Sequence, residues 1–383
     1  MRVFLILALL TVLCAAAVDM KKYKRALKND SRLRKLYIEK FGAADLTSEK
    51  LTNFKEALQF VVNQNENPNI GWESDVNFFA PRSQEERNDI LLKPDTSTGY
   101  DVSGLTFPLG SNAEDEVDWV SAGYISEVQD QTVDCRACWA FAALAALEGR
   151  YQILTNKSVE FSEQELIDCV YWVEDRAQDG CYGGHFADVF KFLAKFGHLA
   201  SESSAPYSSS VGSCSYGAVE NALTDAHLDG SKSYSLVSYD DQTLIDTLLD
   251  GPIATAVQTT QAFLFYSSGV LRDDTCTSLI PNHAVALVGY NANSFRVKNS
   301  WGTNWGDGGY MKVARGHHGC GMIFYGVIPN LVEGAPTTKD ITKPPKCNDT
   351  WGASFCSNYL DYCQYYMAYC KKSCSEKLGI ACE

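Results

Sequence analysis

The sequence contains no run of basic residues, and its overall charge is negative. Its 383 residues include 33 lysines and arginines against 47 aspartates and glutamates, a formal net charge of −14. Binding to nucleic acid requires clustered positive charge that can meet phosphates. We therefore expect no nucleic-acid partner. The acidity itself indicates solubility, and it would also suit an acidic compartment.

A hydrophobic segment long enough to cross a membrane is also missing. A spanning helix needs about 20 apolar residues, and the apolar run within residues 1–17, MRVFLILALLTVLCAAA, is shorter than that. The run follows a positive residue and ends in small residues, which is the pattern of a cleavable secretory signal. A buried core strand is the alternative. We expect a protein that is secreted or held in a lysosome-like acidic vesicle, without a membrane span.

No metal-ligand spacing is present either. Metal sites in proteins are built from closely spaced histidine, cysteine or acidic ligands, but the six histidines of this chain are scattered. The cysteines that do lie close together are expected to form disulfides. The sequence therefore predicts neither a metal nor any other cofactor.

Cysteine is absent between Cys14 and Cys135 and frequent after that point. The chain has fourteen cysteines, and Cys14 leaves with the signal, so thirteen remain. A secretory route makes the disulfide the expected state of most of them. An odd number leaves one thiol without an obvious partner. That thiol is the first indication of nucleophilic chemistry.

Composition separates several segments along the chain. Residues 18–90 are charged, with apolar residues at helical spacing within 46–65. Residues 91–113 are rich in Ser, Thr, Asp, Gly and Pro and predict an exposed connector open to proteolysis. Residues 331–346 predict a second linker. Residues 347–383 hold six cysteines in 37 positions, too few residues to form a core without crosslinks.

Residues 114–330 have the pattern of a globular α+β protein. An Ala- and Leu-rich run predicts a helix over 138–155, and apolar spacing from Phe186 to Phe196 predicts another that stops at Gly197. A third helical pattern precedes Gly251. Because helices come first and strands later, we expect a protein with two lobes. Strands are predicted over 252–258, 283–290, 294–299 and 309–314.

Two residues are candidates for a nucleophile and its general base. Cys138 stands just before the first apolar helix, where the positive end of the helix dipole favours a thiolate. His283 opens the strand HAVALVGY and could take the proton of a thiol. A single cysteine or histidine is more often an ordinary structural residue, so these assignments depend on the sequence around them.

Two further residues could support that chemistry. Asn299, in KNSWG, could fix the imidazole tautomer by accepting a hydrogen bond from its second nitrogen. Gln131, in QTVDCRACWAF, could donate its amide hydrogens to a developing oxyanion beside the backbone N–H of Cys138. Either residue alone is more often structural.

Taken together, these motifs resemble the papain and cathepsin family of cysteine peptidases. The resemblance covers about 114–330 and rests on QTVDCRACWAF, FSEQELIDC, CYGGH, NHAVALVGY, KNSWG and HGCGM. It implies a two-lobed fold with a helical lobe and a β-barrel-like lobe, and an endopeptidase that acts on proteins or peptides. Its catalytic residues would be Cys138, His283 and Asn299, with Gln131 at the oxyanion.

The resemblance also implies supporting and substrate-binding residues. Trp301 would shield the Asn–His hydrogen bond from water. Gly183 and Gly184 match the paired glycines that bind substrate backbone, a function that a Cβ would obstruct. Tyr325 would form a bulky floor of the pocket for the second substrate residue before the cut, which favours small or medium apolar residues over Arg. The expected lining of that pocket is His185, Phe186, Ala256, Ala284 and Tyr325.

Three features depart from the family pattern. Arg136 and Ala137 stand between the two cysteines where the family usually has Gly and Ser. The spacing from Gln131 to Cys138 is one residue longer than usual, an insertion that a bulge before Cys135 could absorb. Residues 170–180 are also longer than in papain.

The resemblance assigns the cysteines of 114–330 to disulfides, although six cysteines alone permit fifteen pairings. Cys138 is then the thiol left over. The implied pairs are Cys135–Cys181, Cys169–Cys214 and Cys276–Cys320.

Both ends of the chain resemble known modules. Residues 18–90 resemble the inhibitory prodomain of the same family, so the chain's own prodomain is expected to be an inhibitory partner. Residues 347–383 resemble the sea-anemone potassium-channel-toxin (ShK-like) module, but the lysine used for channel block is missing. Five tyrosines there favour docking to a protein or glycan ligand. The implied pairs, which could also be shuffled, are Cys347–Cys382, Cys356–Cys374 and Cys363–Cys370.

Three sequons, at Asn29, Asn156 and Asn348, are candidate glycosylation sites. The leading hypothesis is an active peptidase made as a zymogen. One alternative is a catalytically silent homologue that acts as a binding protein, which Arg136 and the shifted Gln131 would favour. Another is a channel-binding protein that acts through its tail.

Overall fold

The computed structural model describes most of residues 18–335 in several ranges. The signal 1–17, most of the connector 91–113, Tyr325 and the whole module 347–383 lie outside the described residues. The described ranges are 18–92, 100–101, 116–170, 180–214, 218–237, 240–276, 278–322 and 326–335.

Helices occupy the first part of the described chain and reappear between later strands. They are α1 Met20–Leu27, α2 Asp30–Phe41, α3 Ser48–Asn65, α4 Gln84–Ile90, α5 Cys138–Thr155, α6 Glu163–Cys169, α7 Phe186–Phe196, α8 Asp241–Leu249 and α9 Gln261–Leu264.

Strands dominate the second half. They are β1 Trp72–Ser74, β2 Tyr100–Asp101, β3 Val117–Asp118, β4 Ala226–Leu228, β5 Tyr234–Val237, β6 Ile253–Val257, β7 Tyr266–Leu271, β8 Ser278–Leu279, β9 His283–Tyr290, β10 Ser294–Lys298, β11 Tyr310–Ala314, β12 Gly326–Pro329 and β13 Leu331–Glu333.

The central helix α5 is buried on nearly every side, which explains its apolar sequence. It runs from Cys138 to Thr155 and is followed by Asn156, the C-cap residue, which adopts a left-handed conformation. The predicted helix over 138–155 is therefore confirmed. The helix that was predicted to stop at Gly197 is confirmed as α7, and Gly197 has a φ of 66°. With α6, these helices form one lobe, in line with the predicted α+β arrangement.

The second lobe is a mixed sheet whose strand order is β1-β7-β11-β10-β9-β6-β12-β5, with β3 added beside β9. All eight residues of β9 are buried, because neighbouring strands flank it and α5 packs across it. His283 begins β9. In the antiparallel β9–β10 pair, Lys298 lies opposite Ala286. Asn299, the next residue, is thereby directed toward the start of β9.

The buried side chains of the segment before residue 92 belong to the same hydrophobic cluster as those of the sheet lobe, and the segment adds a strand to the sheet. Side-chain caps from Asn29, Thr47 and Ser83 begin α2, α3 and α4. The strand β1 pairs antiparallel with β7, with Trp72 opposite Gly269. Gly269 has a φ of +84°, and a Cβ there would lie 2.5 Å from the carbonyl oxygen of Gly71. Glycine therefore permits this close pairing.

Three disulfides lie within the described residues. They join the pairs that the resemblance implies, and Cys138 is the free cysteine of the described chain. None of the described helices is long and apolar enough to cross a membrane. The bonds are Cys135–Cys181, Cys169–Cys214 and Cys276–Cys320.

A buried group of charged residues lies where the two lobes meet. Lys298, at the end of β10, donates to Ser126 Oγ over 2.9 Å. Ser126 in turn donates to Glu148 of α5 over 2.5 Å. Glu163, the first residue of α6, is fully buried, and its Oε1 has no hydrogen-bond partner. One buried ammonium thus faces two buried carboxyl groups. If both carboxyl groups ionised, one negative charge would be left uncompensated.

Burial accordingly raises the pKa of Glu148 to about 7 and that of Glu163 well above its usual value. The charge of Lys298 opposes both shifts, and the carboxylates oppose the fall that burial causes in the pKa of Lys298. Because these folded-state pKa values lie above those of the unfolded chain, the carboxyl groups stabilise the fold most at acidic pH. That stabilisation is lost as the pH rises through the folded values.

We predict that Glu163→Gln flattens the pH dependence of stability. The amide keeps the buried position neutral at every pH, so the unfolding temperature should fall less between about pH 5 and pH 8 than in the parent protein. Thermal unfolding across that range measures the effect, at about 2–4 °C for each kcal/mol.

Glu220→Gln is the matched control, because Glu220 is exposed and is not among the charges that shift the pKa values of Glu148, Glu163 and Lys298. It should leave the parent's pH profile unchanged. A parent-like fall in unfolding temperature for Glu163→Gln would show that the buried carboxyl does not control neutral-pH stability.

Candidate active site

Cys138 occupies the first position of α5 and is fully buried. Two backbone N–H groups at the start of the helix, those of Cys138 and Trp139, favour the thiolate, as does the backbone of Ala284. The disulfide Cys135–Cys181 anchors the preceding loop. The thiol is therefore held at a helix N-terminus beside the strand that begins with His283.

The two ring nitrogens of His283 have different environments. Nε2 lies 2.8 Å from Asn299 Oδ1, which also accepts the backbone N–H of Ser300 over 2.8 Å. Nδ1 is buried and has no hydrogen-bond partner. A buried unpaired ring nitrogen is costly. The hydrogen bond to Asn299 orients the imidazole ring. The second ring nitrogen, Nδ1, is left available for proton transfer.

The indole of Trp301 covers the imidazole. The ring centroids of His283 and Trp301 are 4.4 Å apart, and the planes are inclined by 22°. Trp301 is 2% exposed. Water is therefore kept from the His283–Asn299 hydrogen bond, which strengthens it.

Gln131 is held by two side-chain hydrogen bonds despite the longer loop. Its Oε1 accepts from Ser300 Oγ over 2.7 Å, and its Nε2 makes a 3.3 Å bond to the carbonyl of Cys135. Thr132, the next residue, has a φ of 61°. That left-handed turn absorbs the extra residue. One amide hydrogen of Gln131 is left for an oxyanion.

The paired glycines form the wall of the helical lobe. A Cβ at Gly184 would lie 2.4 Å from the Trp139 ring, so only glycine fits there. Gly183 has a φ of +133°, and its nearest neighbour is the side chain of Leu92, from the segment that precedes the catalytic lobes.

The expected pocket residues are brought together only in part. Ala256 and Ala284 lie opposite each other on β6 and β9, so they share a face. Phe186 is buried in the same cluster as Ala284, whereas His185 is exposed. Tyr325 lies outside the described residues. The pocket assignment stays a prediction.

A metal is not supported at the one group of potential ligands found within the described residues. That group is Asp273, Cys276 and Cys320. Both sulfur atoms are already joined in a disulfide, so they are unavailable as thiolate ligands.

Residues 77–79 pack on the indole that covers the histidine. The Phe79 ring lies 4.8 Å from that of Trp301, and Phe78 is a further neighbour at 6.3 Å. Asn77 Nδ2 donates to the carbonyl of Leu264 over 2.7 Å. These contacts fasten the segment to the sheet lobe.

The same segment then enters the cleft between the lobes. The N–H of Leu92 donates to the carbonyl of Asn282 over 2.8 Å, and the Leu92 side chain lies against Gly183. Asn282 directly precedes His283. Leu92 thus lies between the glycine wall and the histidine strand.

Burial shifts the pKa values of both Cys138 and His283. It raises the pKa of Cys138 to about 12, although the backbone N–H groups oppose the rise. Burial also lowers the pKa of His283 to about 4, against the hydrogen bond from Asn299. The thiolate that the helix terminus was expected to favour is therefore disfavoured while the cleft is covered, because desolvation outweighs the dipole.

The sequence alone did not indicate the Phe78–Phe79 contact, the strand β1 or the entry of Leu92 into the cleft. An adjacent aromatic pair within a highly charged segment is the one signal that could have suggested an intramolecular docking site. The partners of all three lie far away in sequence, so no local pattern specifies them.

Comparison with known proteins places these features in context. The sequence model of papain family cysteine proteases matches residues 113–329. A cathepsin L-like proteinase of Fasciola hepatica is 34% identical over 265 residues, covering 66% of this chain and 77% of the relative. Digestive cysteine proteinase 3 of Homarus americanus is 33% identical over 297 residues, covering 75% and 89%.

Two solved proforms are similar in structure. The ragweed pollen allergen Amb a 11 cysteine protease, in its proform, has a TM-score of 0.67 and 28% identity, covering 80% of this chain and 97% of that one. Digestive procathepsin L 3 of Tenebrio molitor has a TM-score of 0.64 and 26% identity, covering 80% and 99%. The similarity thus extends beyond the matched residues 113–329 to the preceding segment.

We predict that Phe79→Ala speeds conversion of the precursor to its shorter form. Removing a fully buried ring costs about 3–5 kcal/mol, and here much of that loss falls on the contact with Trp301. The rate of conversion at a fixed acidic pH, followed by gel, should rise at least about tenfold.

Ile38→Ala is the matched control, since Ile38 is an apolar residue of the same segment but is 40% exposed. Its conversion rate should equal that of the parent. A parent-like rate for Phe79→Ala would contradict the idea that this contact secures the segment.

Proposed function

The chain belongs to the papain family of cysteine proteases, and we propose that Cys138 is the nucleophile of its peptidase site and His283 the general base. It is a cysteine endopeptidase made as a zymogen with an inhibitory prodomain. The observation that carries the residue assignment is the asymmetry of His283, whose Nε2 is bound by Asn299 while its Nδ1 has no partner.

In the proposed reaction, Cys138 loses its proton to His283 Nδ1, and the sulfur attacks the substrate carbonyl carbon. The oxyanion accepts hydrogen bonds from the backbone N–H of Cys138 and the amide of Gln131. The C–N bond breaks as His283 returns the proton to the leaving amine. Water, with its proton taken by His283, then hydrolyses the thioester and restores the thiol. Asn299 keeps the ring oriented throughout.

Latency in this proposal arises from residues 18–90, with the cover continuing through Leu92. Cleavage within the connector 91–113 would release the cleft and expose the peptidase domain 114–330. The hydrogen bond of Leu92 to Asn282 and its packing on Gly183 support this boundary.

For the two ends of the chain, we propose the functions that the sequence predicts. Residues 1–17 would direct the protein into the secretory route, for release or for storage in an acidic vesicle. Beyond the linker 331–346, residues 347–383 would dock a protein or glycan rather than block a channel. Asn29 and Asn156 border exposed helix ends, which suits glycosylation there, and Asn348 lies outside the described residues.

The alternative of a silent homologue acting as a binding protein is not favoured. Two sequence features had favoured it, namely Arg136 and the longer loop before Cys138. The turn at Thr132 accommodates the loop, and Gln131 stays bonded to Ser300 and Cys135. Neither departure disrupts the proposed constellation.

We predict that Cys138→Ser lowers kcat/KM for a peptide substrate by at least about 10³-fold, because a serine beside this base lacks a ready anion. His283→Ala should have a similar effect. Hydrolysis of fluorogenic peptides after acid treatment measures both.

The fold of each variant is checked by its near-ultraviolet circular dichroism and its unfolding temperature, which should match those of the parent. A folded Cys138→Ser protein that retains more than a trace of activity would refute the assignment.

A further inference from the structure

Arg136, the residue that departs most in size from the family pattern, is fixed beside the nucleophile. Its backbone N–H donates to the carbonyl of Cys181 over 2.8 Å. Its side chain is only 11% exposed. It stands two residues before Cys138, in the loop that the Cys135–Cys181 disulfide ties to the glycine wall.

In the precursor, a single prodomain residue, Asp89, accepts the hydrogen bonds of the Arg136 guanidinium. Arg136 Nε donates to the carbonyl oxygen of Asp89 over 2.7 Å, and its Nη2 donates to Asp89 Oδ1 over 2.9 Å. No carboxylate of the catalytic lobes pairs with Arg136 among the described residues. Within the described residues, the ion pair of Arg136 is thus made with a prodomain residue, which activation would remove.

The pair lies at the edge of the cleft. Asp89 is three residues before Leu92, so their Cα atoms are at most about 10 Å apart. Leu92 itself lies between Gly183 and Asn282. The carboxylate of Asp89 therefore approaches Arg136 from the space that opens when the prodomain leaves.

Activation leaves this guanidinium without either acceptor. Arginine stays protonated at every working pH and presents a planar set of donors that matches a carboxylate. The side chain of Arg136 is 11% exposed with the prodomain in place, and once Asp89 leaves, the donors that Asp89 held face the opened cleft. The next carboxylate to enter the cleft can take the position of Asp89.

We propose that Arg136 forms a carboxylate-binding subsite that favours Glu or Asp as the substrate residue directly before the scissile bond, and that Asp89 fills this subsite in the precursor. The inference rests on the proposed function of Cys138. Arg136 lies between that nucleophile and Cys181, which leads into Gly183. The glycine wall is expected to bind the substrate backbone before the cut, so the side chain nearest to Arg136 belongs to the first residue on that side.

A simpler possibility is that Arg136 only helps to hold the prodomain. Asp89 is 67% exposed, and an ion pair with such a partner contributes little to stability. A pure prodomain contact would leave the substrate preference of the activated enzyme independent of Arg136. The two possibilities therefore differ in whether the substrate preference of the mature enzyme depends on Arg136.

The test uses activated enzyme and two fluorogenic peptides that differ only in Glu or Gln directly before the cut. At about pH 6 the glutamate is ionised. The parent should prefer Glu by about tenfold in kcat/KM, as expected for a hydrogen bond to a charged group. Arg136→Gln should bring the ratio to about 1, and Arg136→Glu should instead favour a Lys peptide over the Gln peptide.

Lys157→Gln is the matched control. Lys157 follows the far end of α5, whose 18 residues place it about 27 Å from Cys138, so the parent's ratio should persist. Hydrolysis of both peptides with a Glu/Gln ratio that Arg136→Gln leaves unchanged would overturn the subsite alone. Failure of the parent to hydrolyse any peptide would overturn the proposed function, and the subsite with it.

Discussion

The hydrogen bond between His283 and Asn299, enclosed by the Trp301 ring, is the contact on which the rest of the site depends. It requires β9 and β10 to be paired in their observed register, because that register brings Asn299 beside the first residue of β9. It also assigns different functions to the two ring nitrogens. The same indole that protects this bond is the surface on which Phe79 packs. The Trp301 side chain therefore connects the orientation of His283 with the docking of Phe79.

Desolvation is the physical means by which the covered cleft is kept inactive. A thiolate and an imidazolium both need solvent or a partner, and in the precursor both groups are buried while Leu92 lies in the cleft beside them. The pKa values of Cys138 and His283 consequently move in the directions that keep both groups neutral. In the proposed function, a covered cleft would exclude substrate and would also keep the Cys138 thiol protonated. The inter-lobe group around Lys298 follows the same principle, since its buried carboxyl groups hold protons at unusually high pH.

Features set by local sequence could be predicted well. The apolar run that forms α5, the glycine that ends α7 and the eight residues of β9 each have a clear local pattern. Cysteine parity indicated a free thiol, but the disulfide pairs came only from resemblance. The strand β1 was missed because three residues carry no usable periodicity and depend on the edge of β7. Asp89 and Arg136 are 47 residues apart, and an isolated charge gives no indication of its partner.

If desolvation keeps the thiol of the precursor protonated, the ionisation of Cys138 must differ before and after activation. The ultraviolet absorbance of the thiolate can be followed against pH in the intact precursor, with Cys138→Ser as the blank, and in activated enzyme before and after alkylation. In the precursor, no thiolate signal from Cys138 should be present under mildly acidic or neutral conditions, because burial raises the pKa of this thiol to about 12. The activated enzyme should show the signal under mildly acidic conditions. A full thiolate signal in the intact precursor near neutral pH would contradict the claim that the prodomain keeps the pair neutral.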